Sequence, residues 1–148
     1  MVTPPQLPPA KSQAEFLSLA RQKLALVKLL LHTKGQRTAC YVECGFAVEA
    51  LLKALILQVH QKISWDATLD GYRHHELKGL AEGCGITTGT LIAAAEFRAA
   101  WATVFQWRRS AGYHPFETTF AIADGMYEAS FGQKGVAKWI ELNFQLAL

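Results

Sequence analysis

The chain is short of charge. Only 18% of its 148 residues are Asp, Glu, Lys or Arg, while 51% are hydrophobic; an ordinary soluble domain carries about 25% charged residues. So apolar a composition excludes a disordered chain, which would be polar and highly charged. Cysteine is scarce as well. Three residues are too few, and an odd number, for a disulfide scaffold. Neither a P-loop nor a dinucleotide-type glycine motif occurs, so no cofactor is expected. No apolar run reaches the roughly 18 residues of a membrane span. The best stretches are broken by Glu49 and Lys53, and by Glu96 and Arg98. The first ten residues hold Pro4, Pro5, Pro8 and Pro9 where a secretory signal would need a basic start and an apolar stretch. Free thiols without signal or span point to a cytoplasmic protein that does not engage a membrane.

What is present reads as helix. The length suits one domain, with residues 1–11 expected as a Pro-rich disordered tail and 12–148 as a single helical unit. Ser12 and Glu15 have capping-box spacing and should open the first helix. Phe16, Ala20, Leu24, Val27 and Leu31 then form one apolar stripe. Lys34–Gly35 fits its end. A second helix is predicted over 37–61, with a broad apolar face and a Glu49–Lys53 pair of the kind usually found as a weak surface contact. Residues 62–73 read as a loop. A short helix follows over 74–82, burying Leu77 and Leu80. A fourth is predicted from Thr87 or Thr88 to about Gln106–Ser110, with Leu91, Ala94, Ala95, Ala99, Ala102 and Phe105 facing inward. The last helix should begin near Asp124, with a break available at Gly132 and Gly135. No strand alternation is visible. The fold expected is all-α, an up-and-down bundle of four or five helices.

Two segments, 38–59 and 87–107, are apolar around most of the helix circumference. One stripe per helix is enough for a monomeric bundle, so the surplus predicts a homodimer interface on the second and fourth helices. Charge is uneven too. Residues 1–40 carry six basic side chains against Glu15 alone, whereas the remainder is slightly acidic. That field can attract phosphates, or simply coat one solvated helix face.

Metal chemistry finds little support. Cys40 and Cys44 share a helix face, and His74, His75 and Cys84 could in principle complete a set, yet no established zinc spacing appears. The thiols read as small core residues, and no metal is expected. The densest polar cluster is Trp107-Arg108-Arg109-Ser110-Ala111-Gly112-Tyr113-His114. Arg grips phosphate through its planar fork, His exchanges protons near neutrality, and Tyr113 or Trp107 could stack on a base. Arg109 and His114 diverge on a continuous helix, so their meeting requires a helix end. Gly112 and Pro115 favour one, because Pro115 pushes His114 out of the α region.

Three segments together resemble the HEPN superfamily (higher eukaryotes and prokaryotes nucleotide-binding). Residues 41–57, YVECGFAVEALLKALIL, resemble its second helix. Residues 75–80, HELKGL, resemble its His-x-Leu-x-x-Leu segment. Arg109-x4-His114 fits its Arg-x(4–6)-His signature. The resemblance implies a helical bundle, usually homodimeric. Many relatives are metal-independent ribonucleases, some of them toxins paired with a minimal nucleotidyltransferase. Carried over, His114 would transfer the proton, Arg109 would stabilise the phosphorane, and Glu49 would support them. Arg108, Tyr113 and Trp107 would contact RNA or nucleotide. The chain departs from the nuclease pattern at Ser110, Gly112 and Pro115. Other relatives are non-catalytic modules that bind a nucleotide or dock on a partner, and Trp107–Tyr113 resembles those as well. A generic helical interaction domain is the third reading.

Overall fold

The computed structural model describes residues 8–115 and 117–148. Regular structure among them is helical: seven α-helices, two 3-10 turns and one isolated β-bridge. The expected all-α class holds, with more and shorter helices than the sequence predicts.

Helix α1 spans Gln13–Leu31 and opens on the predicted capping box, with Ser12 Oγ accepting from Glu15 N and Glu15 Oε1 accepting from Ser12 N. It stops at His32, before Gly35, whose φ of +81° suits glycine. Helix α2 spans Arg37–Val59 and is the axis of the molecule. It runs antiparallel to α1: Gln13 Nε2 donates to Gln58 near its end, and Cys40 Sγ near its start donates to Val27 O. Thirteen α2 residues are buried, against α1 and against the later helices that surround it. The apolar surplus of 38–59 is therefore consumed inside the monomer. It supplies no argument for a homodimer.

The segment after α2 is shaped as well as looped. Ala67–Tyr72 form a 3-10 turn, with Asp66 accepting at its start from Thr68 N. Helix α3, Leu77–Gly83, buries Leu77, Leu80 and Ala81. The single helix expected over 87–106 is two: α4, Thr88–Ala93, and α5, Arg98–Phe105. Its predicted inner stripe is corrected accordingly. Ala95, Ala99 and Ala102 are exposed, while Ala100, Trp101 and Val104 are buried. Helix α4 buries no residue fully, and Leu91 packs only partly against the core. The orientation of α5 is set by Trp101, whose ring meets Trp139 edge-on at 5.5 Å. Good local propensity does not keep so short a pair straight once packing chooses otherwise.

Helix α6, Phe120–Phe131, starts four residues before the expected Asp124, because Thr119 provides the cap. The chain then breaks at the two glycines, and α7 follows over Val136–Phe144. A Cβ on Gly132 would lie 2.6 Å from Glu128 O, so the break requires glycine there. At the other end, part of the expected tail is anchored. Ala10 packs on the core, and Lys11 O accepts from Trp65 N at 2.8 Å. The rest of that tail, residues 1–7, lies outside the described residues. No helix among the described residues is long and apolar enough to cross a membrane.

Candidate functional site

The Arg109–His114 segment is a turn set apart from α5. Helix α5 ends at Phe105, and Arg109–Tyr113 form a separate 3-10 turn. His114 closes it in extended conformation, ψ 131°, as the following Pro115 requires. The turn is pinned from below by Trp107. Its indole is fully buried across α2, where Gly45 leaves the space: a Cβ on Gly45 would lie 1.9 Å from Trp107 Cε2. Phe46 meets the same indole edge-on at 5.4 Å. Gly112 sits over Val42, 3.6 Å from the position its own Cβ would take. Trp107 is thus an anchor, and its role as a stacking surface is withdrawn, since an indole with no exposed face cannot stack on a base.

Above that anchor the predicted residues are accessible. Arg109, Tyr113 and His114 are all exposed, Tyr113 at 81%. Arg108 is exposed too, but its Nη1 donates to Phe105 O and Trp107 O, both at 2.8 Å, which ties it to its own backbone. His114 also borders a cavity of about 400 Å³ with Tyr41, Ala111 and Glu117. Burial raises the Tyr41 phenol above its ordinary range, and the Arg108 charge pulls the other way. Glu117 Oε1 accepts from Arg37 N at 2.9 Å, placing a carboxylate at the start of α2.

Glu49, expected to support this cluster, belongs elsewhere. It is 7% exposed. Its Oε1 accepts from Lys53 Nζ and its Oε2 from His75 Nδ1, each at 2.8 Å. The Glu49–Lys53 pair is therefore not the surface contact that its spacing predicts. Two of the three segments carrying the resemblance, 41–57 and 75–80, meet at this contact, while Arg109-x4-His114 stays with the other cavity. Glu49, Lys53 and His75 line a cavity of about 440 Å³ between α1, α2 and the 60–76 loop, whose wall also includes Lys23, Trp65 and Arg73. Sequence reasoning missed those last three. Phe16, Leu19 and Lys23 do recur at helical spacing on α1, which was the one available signal; nothing local links them to the loop.

The cysteines are core residues. All three are buried. Burial pushes the Cys84 thiol up to about 12, and its Sγ donates to Leu52 O. The hydrogen bond from Cys40, together with burial, drives Cys44 upward as well. Among the described residues, no three His, Cys, Asp or Glu side chains gather as a metal site. No family model, curated protein or solved structure matches the chain.

Proposed function

We propose that this chain is a HEPN-like helical bundle that binds RNA or a nucleotide through its Arg109–His114 turn. One observation carries the reading: Arg109, Tyr113 and His114 are exposed together on a single short turn that follows a buried tryptophan. Arg supplies a phosphate fork, Tyr113 a stacking face, and the imidazole a further donor. The antiparallel α1–α2 pair and the short Leu-x-x-Leu helix support the HEPN-like assignment. Binding is favoured over catalysis because Glu49 is committed to Lys53 and His75, leaving the turn without the acidic residue that the nuclease resemblance implies.

The ribonuclease remains the second reading, favoured by the exposure of Arg109 and His114 on one turn. In it, two such turns from a homodimer form one cleft. His114 removes the 2′-hydroxyl proton, and Arg109 stabilises the phosphorane. A minimal nucleotidyltransferase would then be the natural partner, and the protein a cytoplasmic toxin. One experiment separates the two: labelled single-stranded RNAs incubated with the full chain in chelator. Retarded, intact RNA supports binding. Cleavage lost in both Arg109→Ala and His114→Ala supports the nuclease. RNA neither retarded nor cut contradicts the nuclease and RNA binding, and leaves a nucleotide as the ligand only if AMP or GMP shifts the His114 resonances.

A further inference from the structure

The cavity around Glu49 and His75 shares no lining residue with the one that His114 borders and is not used by that function. We infer that it binds a small molecule with an aromatic or branched aliphatic body and a single carboxylate.

The body follows from the walls. Phe16, Leu19, Phe46, Ala50 and Trp65 all line the cavity, and Phe16 and Trp65 face each other with ring centroids 5.7 Å apart. A volume of about 440 Å³ lies within the usual small-molecule range of about 300–1,000 Å³. One side is closed by the Pro9–Ala10 strap, fixed where Ser12 bridges Ser64 and Lys11 O accepts from Trp65 N. A closed side suits a compact ligand.

The carboxylate follows from unused hydrogen-bonding capacity. Arg73 gives its Nε to Asp70, and its two terminal nitrogens have no partner among the described residues. Lys53 Nζ spends one of its three donors on Glu49. His75 gives Nδ1 to Glu49, and its other nitrogen has no partner among the described residues. Glu49 and the edge-on Phe46 ring, 5.9 Å away at 89°, hold the imidazole in one orientation. Nearly everything left over is a donor, so the ligand should bring acceptors.

Charge sets the number. Lys23, Lys53 and Arg73 are matched by Glu43, Glu49 and Asp70 respectively. The site is balanced before His75 is counted. A monocarboxylate adds one negative charge to that balanced site, whereas a phosphate dianion adds two to a largely apolar cavity. Arg73–Asp70 is an exposed pair, weak enough to exchange one carboxylate for another.

Calorimetric titration of the full chain tests this with phenylacetate and 4-methylpentanoate, and with AMP and inorganic phosphate as dianions. Saturable one-to-one binding of the carboxylates is expected at micromolar to low-millimolar concentration. Arg73→Ala and His75→Gln should each weaken it about tenfold, and Leu19→Trp, which fills the cavity, should abolish it. Circular dichroism checks the fold of each variant. Absence of saturable binding by both carboxylates overturns the inference. So does competition by AMP or phosphate as effective as that by phenylacetate, a result needing only the unaltered chain. Affinity unchanged in folded Arg73→Ala and His75→Gln overturns it too.

Discussion

Glu49 and His75, 26 positions apart, are joined by a 2.8 Å hydrogen bond that fastens the loop after α2 to the middle of that helix. The carboxylate is buried, while the ring is half-exposed. Removing the carboxylate charge should therefore cost more than removing the imidazole. Glu49→Gln leaves the Lys53 ammonium beside a neutral amide, and is expected to lower stability by about 1–3 kcal/mol. His75→Gln should cost less than that. Urea denaturation of both variants checks the order, and equal losses would mean that the buried charge carries no special cost.

The tryptophan beneath the basic turn depends on a glycine. Because a Cβ at Gly45 would meet the Trp107 ring at 1.9 Å, Gly45→Ala must displace the indole or bend α2. A loss of about 1–3 kcal/mol is expected, read by thermal unfolding. If the turn is held through Trp107, protease cutting near Arg108–Arg109 should rise in the same variant. A variant as stable and as protease-resistant as the parent would remove Trp107 from this anchoring role.

The start of α1 should be acid-sensitive. Hydrogen bonding to Ser12, side chain first and then backbone, holds the Glu15 carboxyl below its usual range. A carboxyl lowered by folding contributes stability above its unfolded pKa and loses it as pH falls through the folded value. Amide exchange in the first turn of α1 should therefore quicken on acidification through the carboxylate range. Ser12→Ala should cost about 1 kcal/mol and flatten that response. A pH dependence unchanged by Ser12→Ala would show that the capping box is not its source.

Thiol reactivity offers a check on the core. Cys84 is raised to about 12 by burial, and Cys40 and Cys44 are fully enclosed. Iodoacetamide at pH 8 should leave all three unmodified in the folded chain and label all three in denaturant. Rapid native labelling of any one would contradict the packing around it.

Local signals in the sequence succeeded where one short stretch decides the outcome. Ser12–Glu15 sets a helix start by itself, Pro115 fixes its predecessor, and the Gly132–Gly135 break is written in two residues. The sequence failed where distant packing decides. Nothing in the alanine-rich 87–106 stretch announces a break between α4 and α5, because Trp139, more than thirty positions onward, orients Trp101. The Glu49–Lys53 spacing is the same on a surface as in a core, so only the placement of α2 reveals burial. The apolar surplus of 38–59 reads as a subunit face, since a helix covered on several sides by its own chain looks the same in sequence as one covered by a copy. Gly112 and Pro115 announce that the helix stops before His114, but not that Arg109–Tyr113 form a separate turn over Trp107. The cavity was not legible, because its wall is drawn from α1, α2 and a loop that no periodicity connects.

Salt provides a further measure of the basic turn. If Arg109 neutralises one phosphate, Arg109→Ala should weaken single-stranded RNA binding and reduce the slope of log affinity against log salt by about 0.7. A weaker affinity with an unchanged slope would assign Arg109 a structural part.

Two separate chemistries are proposed for this chain, RNA at the Arg109–His114 turn and a small carboxylate beside Glu49–His75. Histidine-selective isotope labelling and NMR test that separation most directly. A short single-stranded RNA should shift the His114 ring resonances and leave those of His75 in place, while phenylacetate should do the reverse. If RNA moves His75 and spares His114, or either ligand moves both rings alike, the chain has one site and not two.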